Sequence, residues 1–294
     1  MVLIVGARGT LGSRVARRLL AAGERVRVGS RDPQGVADLV ALGAEAVRGD
    51  LLEDGWLEVA LADVDGVVVA SHGLVPPSRR NHPGAVDGEG VRRLIDAAAR
   101  AGVRQLVYLS VAGADRGADA FARVKHATER RLRASGVPWT IVRPSVFVEN
   151  NGLVLLGGPA RAGKPVQFVG PGTTRVNWVS ADDVADDVVR ALGDEGALGQ
   201  VREVRGPDTL SRVELLRLIE GALGRAAKRQ HLPVAFARAV HAVARPLHPG
   251  MGYLLGLVLA DGGAPVPPTD DAVVWVGPTR VVDVVGRWAR AAEA

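Results

Sequence analysis

No cysteine occurs among the 294 residues. That excludes disulfides, thiolate nucleophiles and cysteine-ligated metals together, and it fits a reducing compartment. Lysine is nearly absent: Lys125, Lys164 and Lys228 are the only three, so 34 of the 37 basic residues are arginine. Aromatics make up 4% of the chain, too few for a platform that stacks nucleobases. No apolar run reaches the roughly 18 residues of a membrane span. The nearest, Tyr253–Ala260, is interrupted by Gly256 and reads as a core or pocket helix. Met1 leads straight into Val2-Leu3-Ile4-Val5, without the basic stretch and cleavage site of a secretory signal. The net charge of +5 and pI near 10.3 raise nucleic acid as a partner. The arginines are interleaved with Asp and Glu, however, and form no continuous basic block. The expected setting is cytoplasmic, and neither nucleic acid nor a membrane is expected as a partner.

What is present is a core-forming chain, 47% hydrophobic, with a regular alternation in its first half. Apolar runs ending in turn residues occur at Val2–Ala7, Val26–Ser30, Ala44–Asp50, Gly66–Ser71, Gln105–Ser110 and Trp139–Pro144. Helical patterns lie between them, including Leu11–Ala22, Gly90–Ala101 and Ala118–Ala134. Short apolar strands separated by helices predict βαβ units and a parallel sheet buried on both faces. The expected fold is α/β: a doubly wound parallel Rossmann sheet over residues 1–150. Residues 151–294 are expected to form a smaller, mainly helical lobe, interleaved with late sheet elements at about 176–206. Gly152–Pro171 reads as loop or irregular, Asp182–Leu192, Leu210–Leu223 and Val234–Ala244 as helices, and Gln200–Arg205 as a strand. A proline-rich loop follows at 264–268, then a last helix from about Thr279 to Ala292.

The strongest motif is Gly6-Ala7-Arg8-Gly9-Thr10-Leu11-Gly12, directly after the first strand. Gly6 permits the sharp turn, Gly9 lets the backbone approach a pyrophosphate, and Gly12 lets the helix pack on the strand. The helix then aims its first amides at the anion. Its place between a strand and a helix separates this pattern from a chance glycine triplet.

The GxxGxxG spacing resembles that of the extended and atypical short-chain dehydrogenase/reductases, and other segments resemble the same family. Gly49-Asp50-Leu51 resembles its adenine contact, and Ala70-Ser71 the backbone that flanks its adenosine ribose and phosphates. Ala97–Ser110, Trp139–Pro144, Asn177–Ala185 and Gly206–Leu223 resemble its later elements. The subgroup most resembled is the NmrA-like and complex I accessory-subunit-like proteins. The resemblance implies a cofactor site formed by Gly6, Arg8, Gly9, Thr10, Leu11, Gly12, Ser30, Arg31, Asp50, Leu51, Ala70, Ser71, Lys125 and Pro144. NAD enzymes of this fold carry an acid at the end of the second strand. Here that strand ends Gly29-Ser30-Arg31. Arg31 suits a 2′-phosphate, with Ser30 and Arg8 in support. NADP(H) is therefore the expected cofactor, with NAD(H) as the alternative.

Catalysis in that family uses Tyr-x-x-x-Lys, both side chains on one helical face. This chain reads Phe121-Ala122-Arg123-Val124-Lys125: the lysine is kept and the tyrosine lost. Lys125 is expected to hold the nicotinamide ribose and, if desolvated, to act as acid or base. Ser110 stands where the family's catalytic serine or threonine lies, and either bonds a substrate oxygen or caps the turn. His72 borders the same region. The acids Asp182, Asp183, Asp186 and Asp187 read as a helix start capped by Ser180 and not as a metal site. Two functions follow. One is an NADPH-dependent oxidoreductase of a small, mostly apolar organic substrate, its pocket made by Ser145–Asn151 and the helices after Val234. The other is a non-catalytic NADP(H)-binding redox sensor or structural subunit. A homodimer is left open.

Overall fold

A computed structural model describes residues 1–117, 119–260, 267, 269 and 272–291. Its strands are β1 (Val2–Val5), β2 (Val26–Ser30), β3 (Glu45–Arg48), β4 (Gly66–Val69), β5 (Gln105–Leu109), β6 (Trp139–Pro144), β7 (Val146–Phe147), β8 (Val166–Val169), β9 (Arg175–Val179), β10 (Val201–Arg205), β11 (Asp208–Ser211), β12 (Arg229–Leu232) and β13 (Ala272–Val276). Its α-helices are α1 (Thr10–Ala21), α2 (Ala37–Ala41), α3 (Trp56–Ala60), α4 (Val91–Ala101), α5 (Ala120–Arg133), α6 (Gly158–Arg161), α7 (Ala181–Ala191), α8 (Arg212–Leu223), α9 (Val234–Leu247), α10 (Pro249–Ala260) and α11 (Val281–Arg290).

Eight strands form one sheet in the order β13-β10-β6-β5-β4-β1-β2-β3, and every pairing is parallel. The alternation within each strand explains the two-sided burial. Leu3, Val5, Val67, Val69, Leu106 and Tyr108 enter one core, while Val2, Ile4, Val68, Val107 and Leu109 enter the other. Helix α1 covers the second face with Leu11, Val15, Ala16 and Leu19. It packs beside α7, and Arg14 and Arg18 reach Asp182 and Asp186 across that seam. The strand order reverses between β1 and β4, the switch point where doubly wound folds open a crevice. The expected fold class is borne out.

The second half departs from expectation in detail. Gly152–Pro171 is less irregular than its glycines suggest. A wide π-type helical stretch, Val148–Gly157, runs into α6, and β8 follows. Burial of Val148, Leu153, Leu156, Val166 and Phe168 in a third core against α8 and α11 holds this segment in shape. The helix expected from Leu210 begins at Arg212, because Asp208–Ser211 pairs with β9. Ser211 and Glu214 then close a capping box: Ser211 Oγ accepts from Glu214 N, and Glu214 Oε2 from Ser211 N. The late elements divide: β10 joins the main sheet, whereas β9 belongs to a separate sheet with β7 and β11. Strand β13 also joins the main sheet. Apart from Pro267, the proline-rich loop lies outside the described residues.

A buried polar chain ties the sheet to the end of α7. Gln105 Nε2 donates to Thr140 Oγ1 (3.0 Å) and Ala191 O (2.8 Å), and its Oε1 accepts from Gly193 N (2.7 Å). Replacing Gln105 by Leu orphans the Gly193 amide, whereas Thr140 Oγ1 still donates to Ala197 O and Ala191 O still accepts from Asp194 N. Gln105→Leu should therefore lose about 1–3 kcal/mol in urea unfolding, while NADPH titration remains unchanged, because these groups lie far from the carboxyl ends of the strands.

Candidate cofactor crevice and active site

Each of the three glycines has its own reason. Gly6 has φ +94°, and a Cβ on it would stand 2.6 Å from the Ser71 amide nitrogen. A Cβ on Gly12 would collide with the Gly6 carbonyl. The protein itself asks much less of Gly9, where a Cβ would meet only the Gly6 oxygen, at 3.2 Å. Gly9 is also the N-cap of α1, with no side-chain cap and no acid in the first turn. The first amides of α1 therefore lack an intrahelical partner, beside a backbone left bare of side chain. This is a cradle for a diphosphate.

The adenosine end is built by β2 and β3. Trp56, at the start of α3, lies over Gly29 and Gly49, and a Cβ on Gly49 would collide with its indole. Arg31, Arg48, Gly49, Asp50, Glu53, Asp54 and Trp56 line a cavity of about 280 Å³, with Glu53 paired to Arg80 and Asp54 to Arg93. Arg31 and Arg48 make no ion pair among the described residues, although Arg14, Arg17, Arg18 and Arg27 of the same half are all paired. Two unpaired guanidinium groups at one cavity suit a phosphate. Arg48 had escaped the sequence reading, because nothing local marks an exposed strand-end arginine. Arg8 leans the other way, toward Asp32 (3.5 Å) and the side of Gly35. Ser30 Oγ is held by the Asp32 backbone, donating to its carbonyl at 2.8 Å. Asp32 caps the next turn through Gln34 N, as its place before Pro33 suggested. Asp50 closes an Asx turn onto Leu52 N. Leu11 and Leu51 point into the core.

At the other end of the crevice stands a buried ion pair. Lys125 Nζ lies 2.8 Å from Asp87 Oδ1 and donates to Leu109 O at 2.8 Å. It also sits above the rings of Tyr108 (4.8 Å) and Phe121 (5.5 Å). Asp87 Oδ2 accepts from Gly73 N. Burial pushes the Lys125 pKa down, but Asp87 and Tyr108 outweigh it, and the net shift is upward. Lys125 is thus a fixed cation at working pH, which favours a positioning role over proton transfer. Phe121 is a buried core residue and brings no hydroxyl.

Neither tyrosine replaces the missing one. Tyr108 is fully buried in the sheet, and burial raises its pKa to about 12. Tyr253 of α10 stacks on His82 at 6.0 Å. His72, at the carboxyl end of β4, is reached by solvent yet densely surrounded by protein. Desolvation lowers its pKa, with Asp87 opposing and Lys125 assisting. The neutral ring accepts from Leu74 N on Nδ1 (3.3 Å), which leaves the proton on Nε2.

Buried polar atoms are seldom left without a partner. Among the described residues Trp56 Nε1, Ser71 Oγ, Asp87 Oδ1, Tyr108 Oη, Ser110 Oγ and His126 Nδ1 have no hydrogen-bond partner, although Asp87 and His126 face ion-pair neighbours. Trp56, Ser71 and Ser110 follow β3, β4 and β5 in turn, along the edge where the glycine loop opens. The chain's residues therefore fit an extended dinucleotide. Pro144 closes this edge, its carbonyl accepting from Ala112 N. Thr10 Oγ1 donates to Asn150 Oδ1 at 2.6 Å, joining the glycine loop to the segment after β7. The acids of α7 do not converge on one point. Asp182 and Asp186 pair with Arg18, Asp187 pairs with Arg202, and Asp183 accepts from Thr279. Ser180 caps through Asp182 N.

A family model described as NAD(P)H-binding matches residues 6–195. The chain belongs to this NAD(P)H-binding family. The family and cofactor class expected from the glycine loop are borne out. Among the curated relatives of this NAD(P)H-binding protein is an NAD(P)H azoreductase of Xenophilus azovorans, 31% identical over 86% of this chain and 82% of the relative. Another is a (4-alkanoyl-5-oxo-2,5-dihydrofuran-3-yl)methyl phosphate reductase of Streptomyces griseus, 34% identical over 81% of this chain and 79% of the relative. A crystal structure of an NADPH-dependent quinone oxidoreductase from Escherichia coli, complexed with NADPH, shares the fold. Its TM-score is 0.74 and its identity 24%, covering 98% of this chain and 99% of that one. No helix among the described residues is long and apolar enough to cross a membrane.

Gly9→Val should abolish NADPH binding in fluorescence titration and leave the melting temperature within a few degrees. The added branch meets little protein but fills the phosphate cradle. Normal binding by this variant would move the phosphate site elsewhere.

Proposed function

We propose that the protein is an NADPH-dependent oxidoreductase that reduces a small, mostly apolar organic electrophile in the cytoplasm. The observation that carries this reading is the grouping of Lys125, Ser110 and His72 at the carboxyl ends of β4 and β5, beside the diphosphate cradle. The reductase names of its relatives support it. Bound NADPH supplies a hydride to the crevice. The glycine loop and the first amides of α1 hold the diphosphate, and Arg31 with Arg48 holds the 2′-phosphate. Lys125 has two of its three N–H donors taken by Asp87 and Leu109 O. The third serves the nicotinamide ribose. The fixed charge of Lys125 also stabilises negative charge that develops on the substrate.

Ser110 Oγ, buried and without a hydrogen-bond partner, bonds a substrate heteroatom. His72 Nε2–H, the donor left exposed by the Leu74 contact, hydrogen-bonds the heteroatom as negative charge develops on it, and the proton that completes the reduction comes from water. The Ser145–Asn151 segment and α10 bound the apolar side of the pocket.

Two measurements check this. Arg31→Ala should weaken NADPH by roughly 1.5–3 kcal/mol, the worth of a charge-assisted contact, and leave NADH nearly unchanged in parallel titrations. Arg48→Ala should act the same way, and equal loss of both cofactors would remove the phosphate assignment.

The second measurement is single-turnover NADPH oxidation over quinones, enones and azo compounds. His72→Phe should slow it about 10²-fold or more, the scale of losing one hydrogen-bond donor to developing negative charge. Lys125→Met should also slow it, whereas Phe121→Tyr should bring no gain, since the Phe121 ring faces the core. Undiminished turnover in His72→Phe would remove the hydrogen-bonding role of Nε2–H. If the wild type turns over none of these compounds, the protein is instead a binding-only NADP(H) sensor.

A further inference from the structure

The charge of the chain is unevenly spread. Residues 221–260 contain Arg225, Lys228, Arg229, Arg238 and Arg245, three histidines, and no Asp or Glu. These five positive residues equal the formal +5 of the whole chain, so the remainder is balanced. The segment comprises β12, α9 and α10 with their approaches. Arg229 is paired with Glu220, and Arg225 donates to the Ala160 and Arg161 carbonyls. Lys228, Arg238 and Arg245 are exposed and have no ion pair among the described residues.

The same segment carries an apolar stripe that the fold leaves outside. Phe236, Val240, Val243 and Leu247 follow one another at spacings of four, three and four, so they share one face of α9. Their exposures run from 38% to 65%. Helix α10 packs on a different side of α9. A Cβ on Gly252 would stand 2.9 Å from the Arg245 Cα, and one on Gly256 would stand 3.5 Å from His241 Nε2. The stripe therefore faces away from the helix that covers α9.

We infer that α9 docks the protein on an anionic lipid bilayer surface, with Phe236, Val240, Val243 and Leu247 entering the interface. A helix that lies in the surface needs no membrane-spanning length, only an apolar face and positive charge. This departs from the sequence expectation of no membrane partner, which rested on the absence of a span. Arg238 and Arg245 sit across the helix from the stripe. A helix is about 10–12 Å across, close to the Debye length of about 8–10 Å. Their attraction to the surface is therefore effective at low salt and largely screened at physiological salt and above. A two-fold contact through the stripe would leave Arg238 and Arg245 of both copies facing solvent and unused, whereas an anionic surface engages the stripe and the charge together. Nucleic acid would engage the arginines and leave the apolar stripe in water. The inference does not depend on the proposed reaction. It does give docking a use: α10 packs on the loop at Ser78–Asn81 and stacks Tyr253 on His82, so docking brings this side of the crevice to a surface where apolar molecules collect.

Flotation of the full chain with vesicles tests this, using phosphatidylcholine alone and an equal mixture with phosphatidylglycerol. The protein should float with the mixed vesicles and not with the neutral ones, and added salt should release it. Phe236→Ser/Val243→Ser and Arg238→Gln/Arg245→Gln should each lower partitioning roughly tenfold or more, with NADPH affinity and melting temperature unchanged. Three results would overturn the proposal: no flotation with either vesicle; flotation of Phe236→Ser/Val243→Ser equal to wild type; or a dimer in sedimentation without vesicles that this variant converts to monomer, which would make the stripe a contact between copies. Tight, salt-sensitive binding to duplex DNA in place of vesicles would likewise replace it with a nucleic-acid surface.

Discussion

The backbone leaving β1 comes so close to the backbone leaving β4 that no side chain fits between them, and the crevice is organised around that approach. Gly6 abuts Ala70 and Ser71, and Gly12 abuts Gly6. The start of α1 is thereby fixed at the switch point of the sheet, uncapped and facing outward. Once it is so placed, the ends of β2 and β3 must supply whatever grips one end of an extended ligand, and the ends of β4 and β5 whatever acts at the other. Arg31 and Arg48 stand on the first side, His72, Ser110 and Lys125 on the second. The division of labour follows from strand order alone.

The two ends differ in their electrostatics. Arg31 and Arg48 are solvated charges held ready for an anion, and their desolvation cost falls due only on binding. Lys125 has already met that cost, which Asp87, the Leu109 carbonyl and two aromatic rings offset. A buried ion pair of this kind adds little net stability, yet losing either partner strands the other. Its value here is a positive charge of fixed position that does not titrate away. Loss of the family's tyrosine is easier to understand in this light. A site whose lysine is locked to an aspartate has no use for a phenol tuned by that lysine, and Phe121 contributes packing and a ring face instead.

Much of this was legible in the residues. Short, continuous apolar runs in β1, β4 and β5 pointed to a sheet buried on both faces, and three glycines between a strand and a helix pointed to the cradle. Arg31 stood out because it ends a strand at the position where NAD enzymes of this fold carry an acid. Other features were hidden, for physical reasons. Asp87 lies 38 residues before Lys125, and no periodicity links a π-type turn to the helix after the next strand. Arg48 resembles any exposed arginine until β3 is laid beside β2. Strand β8 and the turns before it lie in a glycine-rich stretch, and they hold their form through burial against α8 and α11, a tertiary effect that local propensity does not encode. The Thr10–Asn150 bond joins residues 140 positions apart.

That last bond has a thermodynamic meaning. Thr10 is the first residue of α1, within the phosphate cradle, and Asn150 belongs to the segment that borders the pocket. Its neighbour Glu149 accepts from the first amide of α7 and from Ser180 Oγ, so the segment is pinned at two points and moves as a unit. A molecule that displaces this segment therefore shifts the hydroxyl at the head of α1. A diphosphate seated there biases the segment in return. On the proposed assignment of cradle and pocket, linkage makes the two effects equal in free energy, and the crevice and the pocket would behave as one cooperative binding unit.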